Sequence, residues 1–269
     1  MEINRIVKPV VVGGVAAATM FSPIQPLRML DVGNEVAYAA NDITLPVSTF
    51  KPTGAKFYVG TTFQDVAANM WYTDAVKQAY EYGLITGKSA NAYEPEGDLT
   101  VAETITLAVK LHSYGTTGGY NIPTGTNPWY NNIVNYAVQN GIITASEFMG
   151  QYDNKATREQ VAHIFSKVFG EGMLPKINAV SSLPDVKPSD KYASDIYELY
   201  EAGILSGSDS KGTFNPKSNI TRAEIASIVM RMALPTQRVS LDIFNGVGAP
   251  KSDTFPSVSN GAVSKPNTG

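Results

Sequence analysis

Apolar residues recur at helical spacing in paired stretches along the chain. Trp71, Ala75 and Ala79 fall four apart, with Val76 and Tyr80 beside them, which defines one helix face. The same ladder returns as Trp129, Ile133 and Ala137, and again as Tyr192, Ile196 and Tyr200. Each ladder is closed by a glycine and two apolar residues: Gly83-Leu84-Ile85, Gly141-Ile142-Ile143 and Gly203-Ile204-Leu205. A glycine there predicts a left-handed helix cap. After a polar turn, a second helix is predicted in each case. The first runs from Thr100 to about His112. The second opens at Thr157, with Val161, Ile164, Phe165 and Val168 on its apolar face. The third opens at Thr221, carries the apolar run Ile225 to Met232 and stops before Pro235.

The three second helices open alike, with Thr100-Val101-Ala102-Glu103, Thr157-Arg158-Glu159-Gln160 and Thr221-Arg222-Ala223-Glu224. Thr followed three residues later by Glu or Gln is a capping box, in which each side chain satisfies the other residue's backbone amide. Trp71 to Trp129 is 58 residues and Val101 to Arg158 is 57; Trp129 to Tyr192 is 63 and Arg158 to Arg222 is 64. Two independent landmarks keep step, so the chain is a threefold repeat. The expected architecture is all-α: three helix–loop–helix units at 62–114, 120–172 and 181–235.

Around the repeats, 41–61 reads as an irregular lead-in and 236–269 as a flexible tail, since the Gly, Pro, Ser and Asn from Gly246 onward offer little apolar surface to offset ordering entropy. Residues 1–40 read as a long export signal. Arg5 and Lys8 form its basic region, Val10 to Phe21 its apolar run, and Ala37-Tyr38-Ala39-Ala40 its cleavage site. The mature N-terminus is expected at Ala40 or Asn41. The apolar run is too short to span a bilayer, so no membrane span is expected in the mature protein.

The net charge of −3, with no basic stripe, argues against nucleic acid as a partner. The absence of cysteine excludes disulfides, thiolate metal sites and cysteine nucleophiles. His112 and His163 stand in no metal or triad pattern, and no catalytic or phosphate-binding motif is present. No metal and no cofactor are expected.

These elements together resemble the S-layer homology module, over roughly Thr62 to Leu234. The third repeat matches nearly throughout, at Asp185-Val186, Gly203-Ile204-Leu205-Ser206-Gly207, Gly212-Thr213-Phe214-Asn215-Pro216 and Thr221-Arg222-Ala223-Glu224. The first matches at Phe63 to Val66, Trp71 and Gly83 to Gly87 but has Val101 in place of the arginine. The second keeps Trp129 and Arg158, lacks the Asp-Val opening and has Ala145 at the second turn glycine. The resemblance implies a pseudo-threefold helical bundle with one helix per repeat lining the centre and ligand grooves between repeats. It also implies attachment of an exported protein to the bacterial wall, through a secondary cell wall polysaccharide bearing pyruvate ketals on amino sugars. It points to the arginines, the opening aspartates, the helix-leading aromatics and the turn residues Gly87, Ser206 and Gly207 as groove residues.

The residues themselves allow two readings at most of these positions. Arg158 and Arg222 lie in a first helical turn, the wrong end of the dipole for a cation. Beside free helix amides, each could instead grip a carboxylate by two parallel bonds; the plainer reading is a surface ion pair. Trp71, Trp129 and Tyr192 suit either core packing or a sugar-stacking face. Asp65 and Asp185 suit helix caps or a polar groove. Gly87 and Gly207 serve turn geometry first. Glu103, Gln160 and Glu224 are explained by capping.

The chain outside the repeats, from Ala40 to Thr61 and the tail, is too short for a catalytic domain. The expectation is therefore a non-catalytic wall anchor rather than an enzyme. The alternative is a structural surface-layer subunit, or its anchor fragment, that self-associates on the cell surface. With Val101 in place of an arginine, the groove built on the first repeat's helix start is expected to be silent.

Overall fold

A computed structural model describes residues 50, 57–60, 62–170 and 172–241. The expected export signal and most of the expected lead-in and tail lie outside the described residues. Within them are six α-helices and no strand: α1 (Thr73–Glu81), α2 (Val101–Thr117), α3 (Asn131–Gln139), α4 (Arg158–Ser166), α5 (Ala193–Glu201) and α6 (Arg222–Ala233). The protein is all-α over this span. Gly83, Gly141 and Gly203 sit at φ near +70°, and the amides one residue on (Leu84, Ile142, Ile204) bond back to Ala79, Ala137 and Leu199. The predicted glycine caps are therefore formed.

Two local readings change. The helix expected to end near His112 continues to Thr117. The hydroxyls of Thr116 and Thr117 bond back to the carbonyls of His112 and Ser113, and Gly118 supplies the left-handed cap at φ +72°. The third ladder also shifts by one. Trp71 and Trp129 each lie two residues before their helix, whereas Tyr192 lies one before α5. Tyr192 thus corresponds to Tyr72 and Tyr130, and Lys191 stands where the tryptophans do.

The chain closes into a ring. The amide of Leu99 bonds to Ile220 O at 3.4 Å, that of Ile220 to Ala156 O at 3.2 Å, and that of Ala156 to Leu99 O at 2.8 Å. Three short segments, each just before a second helix, so pair cyclically about one pseudo-threefold axis. The inner helices follow from it: α2 packs on α4 and on α6. Each first helix then packs on the second helix of the preceding repeat, α3 on α2, α5 on α4 and α1 on α6. No repeat completes a core alone, and one continuous apolar core runs through all three.

The segment after α6 does not start as a tail. A 3₁₀ turn at Pro235–Gln237 leads to Val239, whose amide bonds to Gly203 O. Buried Asn178 ties the same segment down: its amide donates to Tyr200 O and Val239 O, and its carbonyl accepts from Leu241. Residues 236–241 therefore belong to the folded body.

Candidate functional site

Each capping box is complete. The cap threonine accepts from the amide three residues on, and Glu103, Gln160 and Glu224 accept from the cap amides at 2.8, 2.9 and 2.9 Å. The next two amides of each helix are taken by the turn of a neighbouring repeat. Val101 and Ala102 donate to Asn154 and Tyr152, Arg158 and Glu159 to Ser218 and Pro216, and Arg222 and Ala223 to Gly97 and Pro95. The helix starts thus hold no free amides for an anion. That part of the expected grip is not there, because ring closure uses the same donors.

The arginines cross the same junctions. Arg222 is 8% exposed. Its Nε donates to Tyr93 O at 2.6 Å and its Nη2 to Thr86 O at 2.7 Å, and the guanidinium lies 4.5 Å from the Tyr93 ring centre. Tyr93 returns a bond from its hydroxyl to Arg222 O at 2.6 Å. Burial pushes that phenol far above its ordinary range, so it stays a donor. Arg158 repeats the arrangement, with Nε on Phe214 O at 2.6 Å, the Phe214 ring 5.2 Å away and Nη1 paired with Glu224. Neither arginine is the exposed surface ion pair of the plainer reading. Both staple one repeat to the next.

One junction opens into a cavity of about 220 Å³. Arg222 comes from α6, the turn Thr86-Gly87-Lys88 and Tyr93 from the first repeat, Glu103, Thr106 and Lys110 from α2, and Trp129 from the second repeat. Trp129 is 50% exposed. Lys88 pairs with Glu103. Burial raises the Glu103 pKa, but Lys88, the Thr100 amide and the field of Arg222 outweigh it and hold the carboxyl ionised below its usual range. Against the single Glu103 charge stand Arg222, Lys88 and Lys110. The lining therefore favours an anion, and a ring of mixed polarity beside it suits a sugar. Gly87 is required here by close approach: a Cβ would lie 2.5 Å from Phe63 Cε1 and from Ser89 O.

The equivalent junctions differ. Where Arg158 meets the third repeat, the acid is neutralised by Arg158 itself. The position matching Lys110 is Arg231, which burial lowers to about 10 and which donates to Ile204 O and Ser206 Oγ. Ser206 thus faces its own protein, and Gly207 (φ +79°) lies against the Gly212 backbone, 2.6 Å from where a Cβ would sit. Where Val101 meets the second repeat, no guanidinium is present. Glu147 and Asp195 flank the two nitrogens of His163, which stacks on buried Tyr192 at 4.4 Å. Lys167 adds a 3.1 Å contact to Asp195. The sequence shows His163 in no metal or triad pattern, and its partners, 16 and 32 residues away in sequence, give no local signal.

Of the predicted site residues, the cavity brings together Arg222, Gly87 and Trp129. Asp65 accepts from the amides of Tyr93 and Glu94, and Asp185 from those of Phe214 and Asn215. Glu94 and Asn215 are the two non-glycine residues at positive φ among the described residues, both at 58°. The aspartates thus hold strained loop corners and do not line the cavity. Trp71 is half-buried against Tyr72, and Tyr192 is core. Sequence reading missed Lys88, Lys110 and Thr106. Lys110 lies more than two turns beyond Val101 on α2 and serves the cavity headed by Arg222.

The described residues thus form an all-α ring of repeats with a largely apolar cleft that carries three cations, one carboxylate and the Trp129 ring. The family model for the S-layer homology domain matches residues 62–105 and 182–226. It is similar, at 27% identity, to an amylopullulanase of Thermoanaerobacterium thermosulfurigenes, covering 74% of this chain and 11% of that protein. It is 26% identical to a surface-layer 125 kDa protein of Lysinibacillus sphaericus (62% and 15% covered) and 28% identical to the exoglucanase XynX of Acetivibrio thermocellus (67% and 17%). The chain therefore spans between a tenth and a fifth of the length of these relatives. The family and the surface-layer relatives make it a secreted protein of the bacterial cell wall or S-layer surface.

Proposed function

We propose that this chain is a non-catalytic module that anchors an exported protein to the wall by binding a pyruvylated secondary cell wall polysaccharide. The observation that carries the proposal is the cavity that sets Arg222, Lys88 and Lys110 beside exposed Trp129. A pyruvate ketal puts one carboxylate on an otherwise uncharged sugar. Cations can receive that carboxylate while the tryptophan face covers the apolar side of the ring. The relatives support a shared, non-catalytic task. A segment common to proteins named as glycan hydrolases and as surface-layer proteins serves what they share, which is attachment, rather than any one reaction.

The test is sedimentation with purified walls. The protein should pellet with intact walls and stay in solution once the polysaccharide is chemically stripped; equal pelleting with both would refute the reading. Similarity to surface-layer proteins favours a second role, as the anchor part of a subunit that self-associates on the surface. Concentration-dependent assembly of the purified chain would support that role, and a monomer at every concentration would remove it.

A further inference from the structure

We infer that the junction between the second and third repeats carries a pH-sensitive latch: charged His163 ties the loop after α3 to α5, and loss of its proton releases that loop. The inference does not depend on what the Arg222 cavity binds.

His163 lies on α4 at the position of Thr106 on α2 and Ser227 on α6, six residues after each cap threonine. Asp195 is the third residue of α5, as Ala75 is of α1 and Ile133 of α3. Those two are core residues, at 7% and 6% exposure, and Asp195 is as buried at 5%. One of three equivalent junctions thus holds an ion set where the other two hold hydroxyl and apolar side chains. A buried ion pair is no better than a well-packed apolar pair as a source of stability, so packing alone does not account for it.

The imidazole is held between two carboxylates. Its Nε2 faces Glu147 Oε1 at 2.5 Å and its Nδ1 faces Asp195 Oδ2 at 2.7 Å. Only an imidazolium donates from both nitrogens; a neutral ring turns one lone pair onto a carboxylate. Stacking on Tyr192 favours the charged form too, since an aromatic face attracts a cation. The other charges around the ring are already engaged. Lys167, one turn on along α4, contacts Asp195 Oδ1 at 3.1 Å. Glu159, one turn back, pairs with Lys217. Lys191 is engaged by Tyr192, over whose ring it stands at 4.5 Å, and the fields of Glu147 and Glu159 reach it. From α2 the junction receives apolar Val101.

When the ring is neutral, Asp195 keeps its bonds from Ser166 and Lys167, whereas Glu147 keeps the Thr144 amide of its own loop. The Glu147 contact is therefore the one that opens. The same loop supplies Tyr152 O and Asn154 O to the Ala102 and Val101 amides, so its release loosens the start of α2. The latch is closed on the acid side of the range in which histidine changes charge, about pH 5–8, and is lost as the pH rises through it.

Amide hydrogen exchange of the chain between about pH 5 and pH 8 tests this. Protection factors of the Val101 and Ala102 amides, taken against the unstructured-chain rate at each pH, should fall about tenfold as the pH rises, the loss of one charge-assisted bond. Glu147→Gln, whose amide can donate to the neutral ring, should hold the acid-side protection throughout. His163→Gln, which does not titrate, should show a flat profile. A flat profile in the parent, or the parent's fall in either variant, would overturn the latch. If neither variant folds, the parent decides. A fall accompanied by two protonated His163 ring nitrogens in the acid-side nitrogen NMR spectrum supports it, and a single protonated nitrogen at about pH 5 refutes it.

Discussion

Replacing Arg222 by Ala separates the stapling role of this residue from its electrostatic one. Its guanidinium makes two short bonds to carbonyls of another repeat and stands over a buried ring. A hydrogen bond from a charged group is worth about 1.5–3 kcal/mol and a desolvated cation–ring contact about 1–2 kcal/mol. Those contacts sum to about 4–8 kcal/mol; water can reach part of the vacated space from the cavity side, so the net loss is set below that range, at about 3 kcal/mol. The Thr221–Glu224 capping box is untouched, so α6 should still form and the far-ultraviolet circular dichroism at zero denaturant should match the parent. With a urea slope of about 2–3 kcal/mol/M, the unfolding midpoint should fall by about 1–1.5 M. Arg222→Lys keeps the charge but not the planar fork and should recover less than half of the loss. A midpoint within about 0.2 M of the parent for Arg222→Ala would refute the staple. Read from the sequence as a groove residue, Arg222 predicts lost binding with the fold intact. The staple adds a loss of stability to that expectation.

Other perturbations read the remaining junctions. Val101 is fully buried, so Val101→Ala should cost about 1–2 kcal/mol in urea unfolding while leaving binding of the acidic sugar unchanged; weakened binding would put a ligand at that junction. Gly87→Ala forces a Cβ onto Phe63 and the turn carbonyls, costing about 1–3 kcal/mol and reducing acidic-sugar affinity in calorimetry; parent-like values would show the turn to be plastic. Asp195 is buried, which raises its pKa, but bonds from His163, Ser166 and Lys167 outweigh this and leave it depressed. A depressed folded value means that its contribution is present above the ordinary carboxylate range and is lost as pH falls through the folded value. The urea midpoint should therefore drop below about pH 4, with a shallower drop for Asp195→Asn. Equal slopes for the two proteins would remove Asp195 from the account.

The fold was largely legible because its signals are local. Thr100–Glu103, Thr157–Gln160 and Thr221–Glu224 are capping boxes in sequence and in space, and Gly83, Gly141 and Gly203 end their helices as the pattern predicts. What stayed hidden is what passes between repeats. Nothing near Arg158 or Arg222 announces that their amides are taken by loops more than 50 residues away, or that Glu224 both caps α6 and pairs with Arg158. The aromatic ladder was misaligned in the third repeat because Tyr192 imitates the tryptophans; the Trp-Tyr, Trp-Tyr, Lys-Tyr pairs would have fixed the register. Of the site, Arg222, Gly87 and Trp129 were legible as motif positions, whereas Lys88 and Lys110 join them only once the ring is closed.

Calorimetric titration of a pyruvylated amino sugar into the folded chain, paired with the same sugar stripped of its ketal, tests the central claim most directly. The account predicts one site, placed at the Arg222 cavity, since the Arg158 junction is closed by its own Glu224 and Arg231 contacts and the Val101 junction carries Glu147 and Asp195. Lys88→Ala, which removes an exposed cation from the cavity, should weaken it, and the uncharged sugar should bind at least tenfold less tightly, as about 1.4 kcal/mol of charge-assisted bonding requires. Three equal sites, or equal binding of the two sugars, would contradict it.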